Sequence, residues 1–97
     1  MTLFAREASY REVASAVAPV AVSQFLAAKG WELEASQDNV KEIWRLPDGQ
    51  GGVRGRILLP LATDYIDFPQ RFADALHAIS KLNGWSPEEL LEQIITA

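Results

Sequence analysis

Apolar and polar residues alternate in three short runs in the middle of the chain, at residues 31–35, 40–46 and 53–59. A period of two residues is typical of β-strands that bury one face. The segments between the runs, 36–39 and 47–52, contain Ser, Asn, Asp, Pro and Gly, which favour turns. Because these turns are short, the pattern predicts a three-stranded antiparallel meander.

The alternation also assigns the residues of the second and third runs to two faces. One face is mostly apolar and is expected to be buried; it holds Val40, Glu42, Trp44, Leu46, Val53, Gly55, Ile57 and Leu59. The other face holds Lys41, Ile43, Arg45, Arg54, Arg56 and Leu58. Trp31 and Trp44 are expected in the core, since tryptophan is more often buried than exposed.

Helical spacing precedes the strands. Ser9 and Glu12 stand three residues apart, as in a capping box, so a first helix is expected to begin there. Pro19 interrupts it and is well suited to open a second helix. Gly30 is a typical left-handed residue after the end of that second helix.

Two more helices are predicted after the strands. Asp67 is the expected N-cap of a helix that continues to about Leu82, with an apolar stripe along one side. Asn83 and Gly84 end it. Ser86 and Glu89 have the spacing of a second capping box, which predicts a short last helix.

This order of elements predicts an α+β fold, a two-layer sandwich in which helices cover one face of the sheet. We expect one domain over residues 1–97, because the length leaves no room for two cores. Residues 19–97 form the αβββα core with a short terminal helix, and residues 1–18 form an N-terminal helical extension.

Composition excludes several classes of protein. No apolar run approaches the ~18 residues of a membrane span, and the absence of cysteine excludes disulfides and thiolate metal sites. The N-terminus lacks the pattern of a secretion signal, so a cytoplasmic location is expected. The formal net charge of −4 opposes general binding to nucleic-acid phosphates.

Four basic residues, Lys41, Arg45, Arg54 and Arg56, are predicted on the face of the sheet opposite the helices. There they could contact phosphate or an acidic partner. Alternatively, they form cross-strand ion pairs with Glu32 and Glu34 of the first strand.

A second candidate surface is the amphipathic stretch of residues 3–18. Its apolar members could fold over the open side of the sheet, or dock on another subunit or protein. They are Leu3, Phe4, Tyr10, Val13 and Val17.

The side chains suited to catalysis or metal binding show no productive pattern. His77 is the only histidine and lies on the flank of its helix, where a solvated surface role is expected. No His-x₃-His or Glu-x-x-His spacing exists around it. Asp67 and Glu89 are accounted for by capping. No catalytic residue, metal or cofactor is therefore predicted.

Four segments carry a family resemblance: residues 25–33, 43–49, 57–61 and 84–91. With the order of elements, they resemble the HicA-type mRNA interferase toxins and the wider group with a double-stranded-RNA-binding-like fold. The family's first hairpin carries Gly-Ser-His, whereas this chain has Ser36-Gln37-Asp38-Asn39. A histidine is the side chain best suited to general acid–base chemistry near neutral pH. The resemblance therefore implies the αβββα fold rather than RNA cleavage.

Together these features predict a small non-enzymatic protein-interaction module of a bacterial type, an accessory, antitoxin-like or immunity-like factor. Its expected partner is another protein or a second copy of the chain, and its acidity suits a basic partner. The alternative is an RNA-binding or mRNA-interferase-like protein of the HicA type, which the acidic charge disfavours.

Overall fold

Four helices and three strands make up residues 9–96, the part of the chain that the computed structural model describes. They are α1 (Tyr10–Ala16), α2 (Pro19–Ala28), β1 (Glu32–Gln37), β2 (Lys41–Pro47), β3 (Val53–Pro60), α3 (Phe68–Asn83) and α4 (Pro87–Ile95). The strands form one antiparallel sheet in the order β1-β2-β3. Helices pack on one face of this sheet, so the predicted α+β meander is confirmed.

The ends of the helices follow from local chemistry. Ser9 and Ser86 both accept a hydrogen bond from the backbone N–H three residues on, and the glutamate at that position bonds back, which confirms both capping boxes. Gly84 ends α3 with a φ of 70°, a left-handed conformation that costs glycine little.

Asp67 occupies the predicted N-cap position of α3 but does not cap the helix with its side chain. Its Oδ2 atom instead accepts a hydrogen bond from Nε of Arg71, at 2.5 Å. This bond lowers the pKa of the Asp67 carboxyl and raises that of the Arg71 guanidinium. The interpretation of Asp67 as a side-chain cap is therefore corrected: one turn into the helix, an arginine competes for the carboxylate.

The core lies between the sheet and the helices. Trp31 and Trp44 are both buried, as predicted, and they join residues of every helix in one apolar cluster. Helix α3 packs against β3, α1 packs against α3 and α4, and α2 contacts β1 and β3. Although α2 contacts β1, all six residues of this edge strand are exposed.

Gly55 of β3 lies directly against α3. A Cβ atom at this position would stand 2.7 Å from Cδ1 of Leu82, well inside the ~3.5 Å at which packed carbon atoms meet. A side chain at residue 55 would therefore force the methyl groups of Leu82 to shift.

We expect Gly55→Val to lower the free energy of unfolding by about 1–3 kcal/mol through overpacking, as measured by urea denaturation. Leu82→Ala removes the obstructing methyl groups, so Gly55→Val should cost clearly less in the Leu82→Ala background. An equal cost in both backgrounds would contradict the contact.

Ser80 is fully buried in α3, and its hydroxyl has no hydrogen-bond partner among residues 9–96. A buried hydroxyl without a partner carries a desolvation cost of about 1–3 kcal/mol.

Ser80→Ala should therefore leave the free energy of unfolding unchanged or raise it. Asn83→Ala is the contrasting variant, because Nδ2 of Asn83 donates to the Ile79 carbonyl at 2.9 Å and its loss should destabilise. A clear destabilisation by Ser80→Ala would refute this reading of the hydroxyl.

Candidate interaction surface

The face of the sheet opposite the helices, called here the open face, carries paired rather than free charges. Nε of Arg45 lies 2.9 Å from Oε1 of Glu32, and Nε of Arg56 lies 2.8 Å from Oε1 of Glu34. Of the two arrangements that the sequence leaves open for these two arginines, the structure shows the cross-strand ion pairs. Both pairs are solvated, and such pairs stabilise a fold by about 0–1 kcal/mol.

Both acidic residues lie on this face because they are alternate residues of β1. A β-bulge in the same strand lies beside them. The register between β1 and β2 shifts between Leu33, which pairs with Trp44, and Ala35, which pairs with Ile43. Glu34 is the extra residue, and its side chain reaches Arg56 two strands away. A bulge also disrupts regular pairing along an exposed edge, which hinders association through that edge.

The other two basic residues differ in their surroundings. Arg54 donates from Nη2 to the carbonyl oxygen of Leu82, at 3.2 Å. Since Leu82 lies in the last turn of α3, the guanidinium satisfies a carbonyl at the negative end of the helix. Lys41 is exposed and makes no ion pair with residues 9–96. Three of the four predicted contact residues are therefore engaged within the chain.

Helix α1 does not cover the open face, because it packs on the helical layer against α3 and α4. Val13 is 1% exposed and belongs to the core, so its side chain offers no surface to a partner, in contrast to the expectation. Tyr10 and Val17 pack partly buried against the same core. Leu3 and Phe4 lie outside the described residues.

His77 is exposed, and its ring lies against that of Tyr10 with 4.8 Å between the centroids. Within residues 9–96 no group of three or more histidine, aspartate or glutamate side chains is placed to hold a metal ion. The carboxylate of Asp48 closes the β2–β3 loop, where the N–H groups of Gln50 and Gly52 donate to it and lower its pKa.

Helix α2 presents a surface that the sequence analysis missed. None of its ten residues, PVAVSQFLAA, is charged, although only Val22, Phe25 and Leu26 are buried. Val20 is 60% exposed on its outer side. The sequence signal for this surface was the absence of any charged residue between Pro19 and Ala28. A solvent-facing helix normally carries charged or polar residues along its outer side.

A groove of about 470 Å³ runs along one flank of α2. Its walls are apolar apart from Gln24: they come from the α1–α2 connection, from α2 and from the end of α4, where Ile95 is 67% exposed. The lining residues are Ala16, Val17, Ala18, Ala21, Gln24, Phe25, Ala28, Ile94 and Ile95.

A second cleft, of about 360 Å³, lies on the other flank of α2, beside its first turn. It contains the partly buried carboxylate of Glu42 from β2. Oε1 of Glu42 accepts two hydrogen bonds, from Oγ of Ser23 and from Nε1 of Trp44, both at 2.9 Å. The remaining walls are Ala18, Pro19, Val20, Asn39 and Leu61.

Comparison of the chain with family models, with curated proteins and with solved structures finds no match. The resemblance to the HicA-type toxins therefore stays a prediction. Over residues 9–96, no helix combines the length and the apolar character needed to cross a bilayer.

The ion pairs of the open face should behave as solvated pairs. We expect a double-mutant cycle of Glu34→Ala and Arg56→Ala to give a coupling free energy below about 1 kcal/mol that shrinks in high salt. Urea denaturation of the four proteins at two salt concentrations measures it. A coupling that high salt leaves undiminished would contradict the solvated geometry.

Proposed function

We propose that this chain is a non-enzymatic protein-interaction module that binds another protein across α2. The observation that supports the proposal is the uncharged surface of α2, which faces solvent on its outer side. Apart from Ser23 and Gln24 the residues of α2 are apolar, and exposed apolar patches commonly mark interaction sites.

The proposed occupant of the groove is an amphipathic helix of another protein. Helices α2 and α4 have ten and nine residues, or about 15 Å each, so the groove matches about three turns of a partner helix. The largest side chain of its floor, Phe25, is fully buried, while Ala21 and Ala28 are small enough to admit the side chains of a partner. An apolar helix stripe lying in such a groove is a common recognition mode.

The polar side of this partner helix is expected to be basic. The chain has a formal net charge of −4. The exposed Glu92 lies one helical turn before Ile95, which lines the groove. Charge complementarity of this kind raises the rate of association and selects among partners. An accessory, antitoxin-like or immunity-like role agrees with such a surface.

The RNA-binding alternative has less support. Arg45 and Arg56 are paired with glutamates, and Arg54 is bonded to α3. Contact with phosphate would have to compete with these interactions. Within the described residues, 9–96, no aromatic side chain stands among the basic residues of the open face to stack on a base.

A designed peptide tests the groove directly. The peptide is a helix with leucine at positions i, i+4 and i+7 and lysine or arginine on its other side. A control peptide has the same leucine stripe with aspartate or glutamate on its other side. We expect the basic peptide to bind more tightly and to shift the NMR amide signals of residues around Phe25, Ala28 and Ile95.

Two neighbouring alanines provide matched variants. Both are exposed on α2, but only Ala28 lines the groove. Ala28→Gln should weaken the basic peptide about tenfold, because it places a polar group without a partner in an apolar contact. Ala27→Gln makes the same change outside the groove and should leave the affinity unchanged.

Three results would refute the proposal: equal binding of the two peptides, equal effects of the two variants, or signal shifts located away from α2 and α4. A dimer in sedimentation that Ala28→Gln dissociates would identify a second copy as the occupant instead. Salt-sensitive RNA retardation that is lost in Arg54→Ala/Arg56→Ala would favour the alternative function.

A further inference from the structure

We infer that the cleft around Glu42 is a binding site for one guanidinium group, supplied by an arginine side chain of the protein partner. The inference deepens the proposed function, on which it rests for the source of the arginine. The site itself can be tested without any partner. It lies on the other flank of α2 from the apolar groove; the exposed Val20 forms one of its walls, and Ala18 lines both cavities.

The first argument is the state of the carboxylate. Both hydrogen bonds to Glu42 come from neutral donors, Ser23 and Trp44, and both end on Oε1. No lysine or arginine of residues 9–96 forms an ion pair with Glu42, and Oε2 has no hydrogen-bond partner among these residues. Glu42 is partly buried, and a carboxylate that has lost part of its hydration gains from a cationic partner.

The second argument is the residue type. Glu42 occupies the face of β2 that packs toward the helices, next to the buried Trp44. A neutral glutamine could accept the same two hydrogen bonds through its side-chain oxygen, and its desolvation would cost less. The negative charge is therefore not needed for the two bonds that hold the side chain, which leaves it available for a ligand.

The third argument is the shape of the cleft. Pro19, Val20 and Leu61 form apolar walls that can pack against the methylene groups of an arginine, while the charged head reaches Oε2. Asn39 adds a side-chain amide to the lining, whose oxygen is a further acceptor for a donor-rich group.

The N-terminus of α2 weakens the attraction of the cleft for a cation. It lines the same cleft, and the helix N-terminus carries a partial positive charge of about half an elementary charge. This charge offsets only part of the full negative charge of the carboxylate. The balance still favours a cation at Oε2.

The indole N–H of Trp44 gives a direct measurement, because it donates to the same carboxylate. Ethylguanidinium is titrated into the full chain at constant ionic strength and millimolar concentrations, and the indole signals of the three tryptophans are followed by NMR. We expect a saturable shift of the Trp44 signal with a Kd of about millimolar, as suits so small a ligand. Ethylurea has nearly the same shape without the charge and should produce no saturable shift.

Two charge-neutralising variants distinguish binding at Glu42 from a general effect of the net charge. Glu42→Gln should keep the fold and abolish the saturable shift. Glu32→Gln removes the same formal charge from the open face and should leave the titration unchanged. Equal titrations in Glu42→Gln and the unmodified chain, or equal responses to ethylurea and ethylguanidinium, would overturn the inference whatever occupies the groove.

A final comparison links the cleft to the partner. An arginine is added to the basic groove peptide through a flexible linker long enough to cross α2, and citrulline replaces it in the control. The arginine peptide should bind about tenfold more tightly, and Glu42→Gln should remove this difference without changing the citrulline peptide. If ethylguanidinium binds the cleft but the two peptides bind equally, the guanidinium site stands and its assignment to this partner fails.

Discussion

The packing of α3 against β3 is the contact on which the rest of the architecture depends. A three-stranded sheet needs a covering layer to bury one face, and α3 supplies it along β3, where Leu82 lies over Gly55. Helix α3 also packs against α1 and α4. All six residues of β1, at the other edge of the sheet, are exposed.

The distribution of charge follows from that asymmetry. Glu32 and Glu34 are alternate residues of the exposed strand β1, and they pair with Arg45 of β2 and Arg56 of β3 on the open face. Arg54, at the opposite edge, is bonded to the end of α3. The remaining surface is that of α2: apolar side chains face water on one flank, and on the other the Glu42 carboxylate has no cationic partner among residues 9–96.

Much of the fold could be predicted from local patterns. Period-two alternation placed all three strands to within one or two residues, and both serine capping boxes form as the spacing indicates. These signals are reliable because they act within a few residues. Asp67 shows their limit: its position was predicted, but its partner was not, since Arg71 competes with the backbone for the same carboxylate. Likewise, the apolar stripe through Val13 predicted a helix but not which surface would bury it.

The candidate site on α2 could not be predicted from the sequence, because it is formed by tertiary contacts and not by local patterns. The sequence by itself determined the order of the elements, their ends and the face to which each strand residue belongs, because backbone geometry and turn chemistry act over short distances. Only the tertiary structure decided which charges meet, that Val13 is covered, and that the two flanks of α2 remain open. Those outcomes depend on how helices and strands distant in the chain pack together, and no period or spacing in the sequence encodes the distance between them.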